Sequence, residues 1–465
     1  MNMAEKIASK IEARRESFIK LSDQIWEFAE TNYTEFRSSE LLARTLEEAG
    51  FAVNTAAGNI PTAFTASYGT GSPVIAILGE YDALFYLSQE KGIAEKRPIK
   101  QGGNGHGCGH NLLGTAGVAA VMAVQELLDE EQFEGTIRYY GCPAEEGGAG
   151  KVYMMKAGLF DDVDIAITWH PSTGNRVISQ RIIANNRVTY KFKGRSSHAG
   201  ASPHLGRSAL DAVELMNIAS NYLREHLIQD TRLHYAITNA GGCSPNVVQQ
   251  EAEVQYVLRG PNMSVVQDMV ERVTNIATGA ALMTGTTFTH SIDSGTSDLV
   301  PNKPLELLMY ASFQQLGVPQ FDQEEESFAE LIRSTFSKEE KISEKALADT
   351  LLPYEYDSGI IHGSSDVGDV SWSVPTAQCV TACFALDTPF HTWQIVSQGT
   401  TSIAHKGMLH AGKVMGLSVI ELFRQPKIIA EAKAAHAKEL QGKPYICPIP
   451  DGVGIPSVTT EYSLI

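Results

Sequence analysis

The sequence predicts an α/β protein: a mainly parallel sheet between helical layers, with a second, smaller α/β unit inserted into it. Three observations lead there. Short apolar strands alternate with helical patterns over roughly the first 185 residues. From about 187 to 292 the order becomes strand, helix, two strands, helix, strand. After that the first style resumes. The chain has 465 residues, 43% of them apolar and 20% charged, which is enough for a sizeable core in two or three domains.

Taken in order, residues 4–31 read as one helix, with Ile7, Ile11, Phe18, Ile19, Leu21, Ile25 and Trp26 on its apolar face. A second helix runs from Ser38, its predicted cap, to about Glu48, with Gly50 as the stop. "TAFTASYG" and "PVIAILGEYDAL" read as strands, and "LLGTAGVAAVMAVQELLDE" as a helix apolar nearly all round, hence buried. "TIRYYGCPAEEGGAG" is a strand breaking into a polar, Gly-rich turn, and "VDIAITWHP" is a short buried strand. "GEYD", "GCPAEE" and "TWHP" therefore end strands, where sites gather in such sheets.

The interruption contains strand "RVTYKFKG", a helix from about Arg207 to Glu225, strands "LHYAITNA" and "AEVQYVLRG", a helix from about Ser264 to Leu282, and strand "TTFTHSI". This βαββαβ order is ferredoxin-like. The predicted division is a catalytic domain in two parts, 1–185 and 297–465, with an inserted unit at 186–296. The second part holds helix "PLELLMYASFQQLG", strand "TAQCVTACFAL" and helix "TTSIAHKGMLHAGKVMGLSVIELF". Residues 318–362 read as an irregular excursion, and the tail from Gly442 as irregular too.

The charge excludes some functions. With 37 basic against 54 acidic residues the net charge is −17, which repels nucleic-acid phosphates. No apolar run approaches the roughly 20 residues of a membrane span, and the charged N-terminus lacks the core of a secretion signal. The six cysteines show no disulfide-framework spacing, which predicts a reducing, cytoplasmic setting.

The chemistry concentrates in four pieces. "GNGHGCGHNLLGTAG" offers Cys108 and His110 around one glycine, just before a helix whose N-terminal dipole should lower the thiol pKa. "PAEEGGAG" offers Glu145 and Glu146, which point in opposite directions if extended, so that one can bind metal while the other faces water. "TWHP" offers His170, and "TPFHTWQ" offers His391. Alone, each has a plain structural reading: a buried cysteine with loop histidines, a solvated acidic turn, an edge histidine. Together they fall at corresponding strand ends. Five ligands exceed the needs of one zinc and suit two ions roughly 3.5–4 Å apart, with the Cys108 thiolate as bridge. The other histidines read more plainly: His106 as loop structure; His204, His226, His234 and His410 as packing or surface.

These motifs, with "GRSSHAG", "SSDVGDVSW" and "GKPYICPIP", resemble the co-catalytic metallopeptidases and amidohydrolases that include hippurate hydrolases, auxin-conjugate amidohydrolases and carboxypeptidase-like enzymes. The resemblance covers nearly the whole chain. It implies an inserted lid that carries a dimer interface; Cys108, His110, Glu146, His170 and His391 as ligands of two divalent ions (zinc first, manganese or cobalt as alternatives); and Glu145 as general base. It further implies that lid residue His198 polarises the scissile carbonyl, often in the partner subunit's site, and that Asn246 touches substrate. Asn111 stands where many relatives have Asp and is expected to orient His110. Asp82 corresponds to a supporting Asp of the wider family, and Asp366 is expected behind the site.

The predicted reaction is hydrolysis of an amide in a small N-acyl amino acid, the resemblance pointing to p-aminobenzoyl-glutamate or a related folate fragment. Arg259 is the predicted carboxylate clamp. The competing readings are a dipeptidase for β-alanyl or basic dipeptides, a regulatory or binding member of a hetero-oligomer, and a structural zinc module. A homodimer through the lid is expected, with a heteromer of related chains as the alternative.

Overall fold

The computed structural model describes residues 1–357 and 359–456; the end of the predicted irregular tail, 457–465, lies outside them. A seven-stranded sheet forms the centre. Its strands run across in the order Ala52–Thr55, Phe64–Thr70, Gly135–Cys142, Val74–Glu80, Ile165–Ser172, Thr376–Ala382 and Arg176–Ile178. The interior pairs are parallel, and antiparallel strands sit at both edges. Val74–Glu80 is buried at every position because helices and loops cover both its faces, as a parallel strand requires.

The helix His110–Glu131 lies against this sheet, buried over most of its surface, beside Ser402–Arg424. It corrects the expectation about membrane spans: by length and composition it could cross a bilayer, but 89% of its most apolar window is buried inside the protein. Its role is core packing. Glycines let it approach closely. A Cβ on Gly114 would stand 2.7 Å from the Glu80 carbonyl oxygen, and one on Gly117 2.8 Å from the Tyr139 ring.

Four further sequence expectations change. The single helix at 4–31 is two, Met3–Ala13 and Arg15–Phe28, broken at Arg14 with φ −114° and ψ 15°. The break lets the first helix pack on Ser402–Arg424 and the second on His110–Glu131. Ser38 does not cap: the helix begins at Phe36, and the Ser38 amide and hydroxyl donate to Glu30 at 2.9 and 2.8 Å. The excursion at 318–362 contains the helix Gln323–Ser334, started by an Asp322 capping box. A further helix, Pro426–Leu440, lies outside the predicted elements, although Pro426 at its start is a usual signal.

The second sheet has four antiparallel strands in the order Thr287–Thr296, Ala184–Lys193, Glu251–Gly260, Arg232–Asn239, which is the ferredoxin-like arrangement. Its two faces differ. Val188, Tyr190, Phe192, Val254, Tyr256 and Leu258 pack under the helices Ala209–Leu223 and Met263–Thr284. The period of two sends Asn185, Arg187, Val257 and Arg259 to the opposite face.

Replacing Gly114 with Ala tests the close approach of helix and strand. Alanine adds about 1 kcal/mol of helix propensity, but overpacking against a backbone oxygen costs ~1–3 kcal/mol. We expect a net loss, read as a lower urea midpoint with unchanged slope.

Candidate metal centre

The carboxyl ends of Val74–Glu80, Gly135–Cys142, Ile165–Ser172 and Thr376–Ala382 point the same way, and the loops beyond them meet. Gly109, at φ 77°, turns the chain into the helix that starts at His110. Two sets of donor atoms result, each within 4.8 Å of one another: Cys108, His110 and His170; and Cys108, Glu146 and His391. Cys108 belongs to both. Its Sγ lies 3.4 Å from His170 Nε2, and His391 Nε2 lies 3.4 Å from a Glu146 oxygen. Glu145 sits beside them, in a third set with His110 and Glu80.

A supporting layer fixes the imidazoles. His110 Nδ1 donates to Asp82 Oδ1 at 2.9 Å, and the other Asp82 oxygen accepts the Glu146 amide at 2.9 Å. His170 Nδ1 donates to the Pro171 carbonyl at 2.7 Å. In both rings the Nδ1 proton is engaged and Nε2 is left to the cluster, the arrangement that second-layer partners give to metal-binding histidines. His110 Nε2 and Glu146 Oε1 are buried without a hydrogen-bond partner among the described residues. His110 Nε2 has only a Glu80 oxygen near it, at 3.4 Å; polar atoms left without a hydrogen bond beside a thiol, imidazoles and carboxylates fit divalent cations of the zinc type.

The backbone is strained here. His391, Ala144 and Ala149 have φ of 59°, 56° and 53°, a left-handed geometry that costs ~1–3 kcal/mol each for non-glycine residues. Local bonds hold it. The His391 amide donates to the Gly107 carbonyl at 2.9 Å, tying its loop to the Cys108 loop. The turn at 143–150 is braced by Glu35, which accepts the Ala144 amide at 3.1 Å, and by the Tyr33 hydroxyl, which donates to the Gly148 carbonyl at 2.7 Å.

Behind the cluster lies a buried ion triad. The Lys151 ammonium bonds Glu80 and Asp366, each at 2.6 Å, and the Lys151 amide also donates to Asp366. Burial alone would lower the lysine pKa, but Asp366 and Glu80 raise it well above its usual range. Burial raises Glu145 well above the carboxylate range, and Glu80 and Asp366 push the same way. Burial pulls His170 down to about 4, and His110 adds to this, so its ring is neutral.

Two expectations are corrected. Burial, then the Glu146 carboxylate, pushes the Cys108 thiol up rather than down, so desolvation prevails over the helix start, and a bound cation would favour the thiolate. Asn111 does not orient His110. Its side-chain amide donates to Ser22 and to the Gly399 carbonyl, both at 3.0 Å, and Asp82 takes the orienting role.

The donors open on a cavity of about 550 Å³ lined by both sheets. Arg259 lines it and donates to Ser364 Oγ at 3.1 Å. His198 and Asn246 do not line it: they lie on two neighbouring exposed lid loops, joined by the bond from the Ala199 amide to the Asn246 carbonyl. The sequence reading missed Glu80, Lys151, Arg176 and Arg187. Only Glu80 carried a signal, since it stands two residues before Asp82 at a strand end and shares its face.

The sequence model described as peptidase family M20/M25/M40 matches residues 76–304. The chain is 48% identical to one of the subunits of the p-aminobenzoyl-glutamate hydrolase of Escherichia coli K12, over 96% of this chain and 97% of that protein. It is 29% identical to the Xaa-Arg dipeptidase of Mus musculus, over 94% and 92%. Among solved structures, a dinuclear metal binding peptidase of the M20 family from Bacillus subtilis superposes with a TM-score of 0.58 at 17% identity, over 88% of this chain and 99% of that one.

Lys151→Met should destabilise the fold by ~3–5 kcal/mol, because it strands two buried carboxylates. Denaturation of the metal-free protein will show the loss directly.

Proposed function

The chain belongs to peptidase family M20/M25/M40 and is a metal-dependent hydrolase of amide bonds, and from that premise we propose that it cleaves a small N-acyl amino acid of the p-aminobenzoyl-glutamate class. The observation that carries the reading is the meeting of Cys108, His110, Glu146, His170 and His391 in two sets that share the thiol, with Glu145 beside them. These residues would hold two divalent cations, which would supply Lewis acidity and lower the pKa of water. Cys108 would serve both cations, with His110 and His170 completing one set and Glu146 and His391 the other.

Glu145 is the general base. Its raised proton affinity suits a group that takes a proton from the attacking water and returns it to the leaving amine. Lys151 holds Glu80 and Asp366 in place beside it without joining the reaction. His198 serves the developing oxyanion. Its Nδ1 accepts the amides of Gly200 and Ala201, both at 3.1 Å, so in the neutral ring the proton sits on Nε2, ready to donate.

Because His198 and Asn246 lie away from their own cavity, we assign them to the site of a second chain. The lid offers a surface for it. Arg232–Asn239 is an edge strand exposing Tyr235 and Ile237, and the helix Ala209–Leu223 exposes Ile218 and Tyr222. A second copy is the primary reading. The Escherichia coli relative is one subunit of its hydrolase, which makes a related but different chain the alternative.

Three outcomes follow. Glu145→Gln should keep metal content and fold and lose turnover by ~10²–10⁴-fold. Cys108→Ala should lower the bound metal, measured by elemental analysis after dialysis. Ile218→Glu with Tyr222→Glu should give monomers by light scattering and, with His198 displaced, cut kcat by about 10²–10³-fold. The deciding experiment is a hydrolysis screen of metal-loaded protein over acyl-glutamates, β-alanyl dipeptides and basic dipeptides; turnover of dipeptides alone would replace the proposed substrate class.

A further inference from the structure

We propose that Arg176 and Arg187, together with Arg259, form a subsite for a second carboxylate, so that the enzyme selects an acidic amino acid on the amine side of the amide. The inference rests on the hydrolase reading for its context and on the cavity wall for its content.

Two of these residues lie on the lid sheet. Arg187 pairs with Val257 across the strands, and Arg259 pairs with Asn185, two residues along. Arg187 and Arg259 are thus diagonal neighbours on one face, the face turned from the lid helices and toward the cavity. Arg176 comes from the other sheet. It opens the edge strand Arg176–Ile178, paired with Val380, and lines the same cavity. The two walls therefore bring three guanidinium groups to one space.

None of the three has a carboxylate partner among the described residues. Arg138, Arg181 and Arg333, by contrast, each hold one. In a chain with 54 acidic and 37 basic residues, leaving three half-buried guanidiniums unpaired is unusual. Among the described residues, the Arg259 side chain has a hydrogen bond to the Ser364 hydroxyl and no carboxylate partner. Arg176 Nε is buried with no hydrogen-bond partner. Burial, and for Arg259 also the nearby Arg187, lowers the pKa of Arg176 and Arg259, so their charge is held at a cost. An anion removes that cost, and planar guanidiniums suit a carboxylate with two oxygens.

A substrate with one carboxylate can be clamped by Arg259 alone. The additional guanidiniums are explained by a second carboxylate, as in a glutamyl or aspartyl residue. They also disfavour a cationic side chain there, which separates this site from one for basic dipeptides.

The test compares N-acyl-glutamate with N-acyl-glutamine, which differ only in the side-chain carboxylate. The wild type should prefer the glutamate substrate in kcat/KM. Arg187→Met and Arg176→Gln should each shrink that preference about 10- to 100-fold, as expected for a lost charge-assisted bond; Arg187→Lys should restore part of it. Equal turnover of both substrates by the wild type, or equal losses on both in the variants, would overturn the subsite and leave the hydrolase standing. Calorimetric titration with glutarate and with glutaramate separates the two claims. Tighter binding of glutarate, weakened in both variants, supports the subsite even if no amide is cleaved. No difference between the two ligands rejects it.

Discussion

The site is organised around an excess of negative charge in a dry place. Glu80, Asp82, Glu145, Glu146 and Asp366 all approach the ends of the central strands, and most of their surface is closed to water. Ionised carboxylates so crowded cannot all persist without compensation. The protein provides part of it internally: Lys151 between Glu80 and Asp366, and His110 against Asp82. The remainder, around Cys108, Glu146 and Glu145, is left open, and divalent cations are the chemistry that closes it. One imbalance thus accounts for the orphaned His110 and Glu146 atoms, the raised Glu145 and the thiol shared by two donor sets.

Holding that imbalance requires a stiff frame. The loops that carry the donors adopt left-handed backbone at Ala144, Ala149 and His391, which relaxes unless the surroundings over-determine it. The over-determination is visible in the bonds from Glu35 and Tyr33 to the acidic turn, and in the amide of His391 on Gly107. Beneath them a parallel sheet buried on both faces fixes where each strand ends. Gly114 and Gly117 let the helix that carries His110 sit against it without a gap. Strain at the loops and close packing below are two sides of one arrangement.

Much of this was legible in the sequence, and the failures have physical causes. The fold class followed from element order, and the donors in "GHGCGH" and "PAEE" stood out because glycines isolate them at strand ends. Glu80 was readable in principle, since the period of two placed it beside Asp82. Arg187 was hidden: in an alternating strand, an arginine on the half-exposed face looks solvated, and only the second sheet folding over it makes a cavity wall. The helix break at Arg14 was invisible because the apolar stripe continues through it and only tertiary contacts force the turn. The thiol shift was misjudged because a helix dipole is a local property, whereas desolvation depends on everything packed around the group.

Two walls of one cavity carry opposite local fields, although the chain as a whole is at −17. The central sheet gathers carboxylates at its strand ends; the outward face of the lid sheet and the edge at Arg176 gather guanidiniums. Salt screens the net charge beyond about the Debye length, roughly 8–10 Å in physiological salt, so it acts only on the last steps of approach. Inside a cavity of about 550 Å³ the nearest groups dominate. A substrate with its own anions would be repelled by the surface as a whole yet held at the proposed arginine wall, with its neutral amide free to lie by the cation-binding end. With the proposed subsite, chemistry and selection fall to different groups lining one cavity, and the acidic composition of this chain does not argue against an acidic substrate.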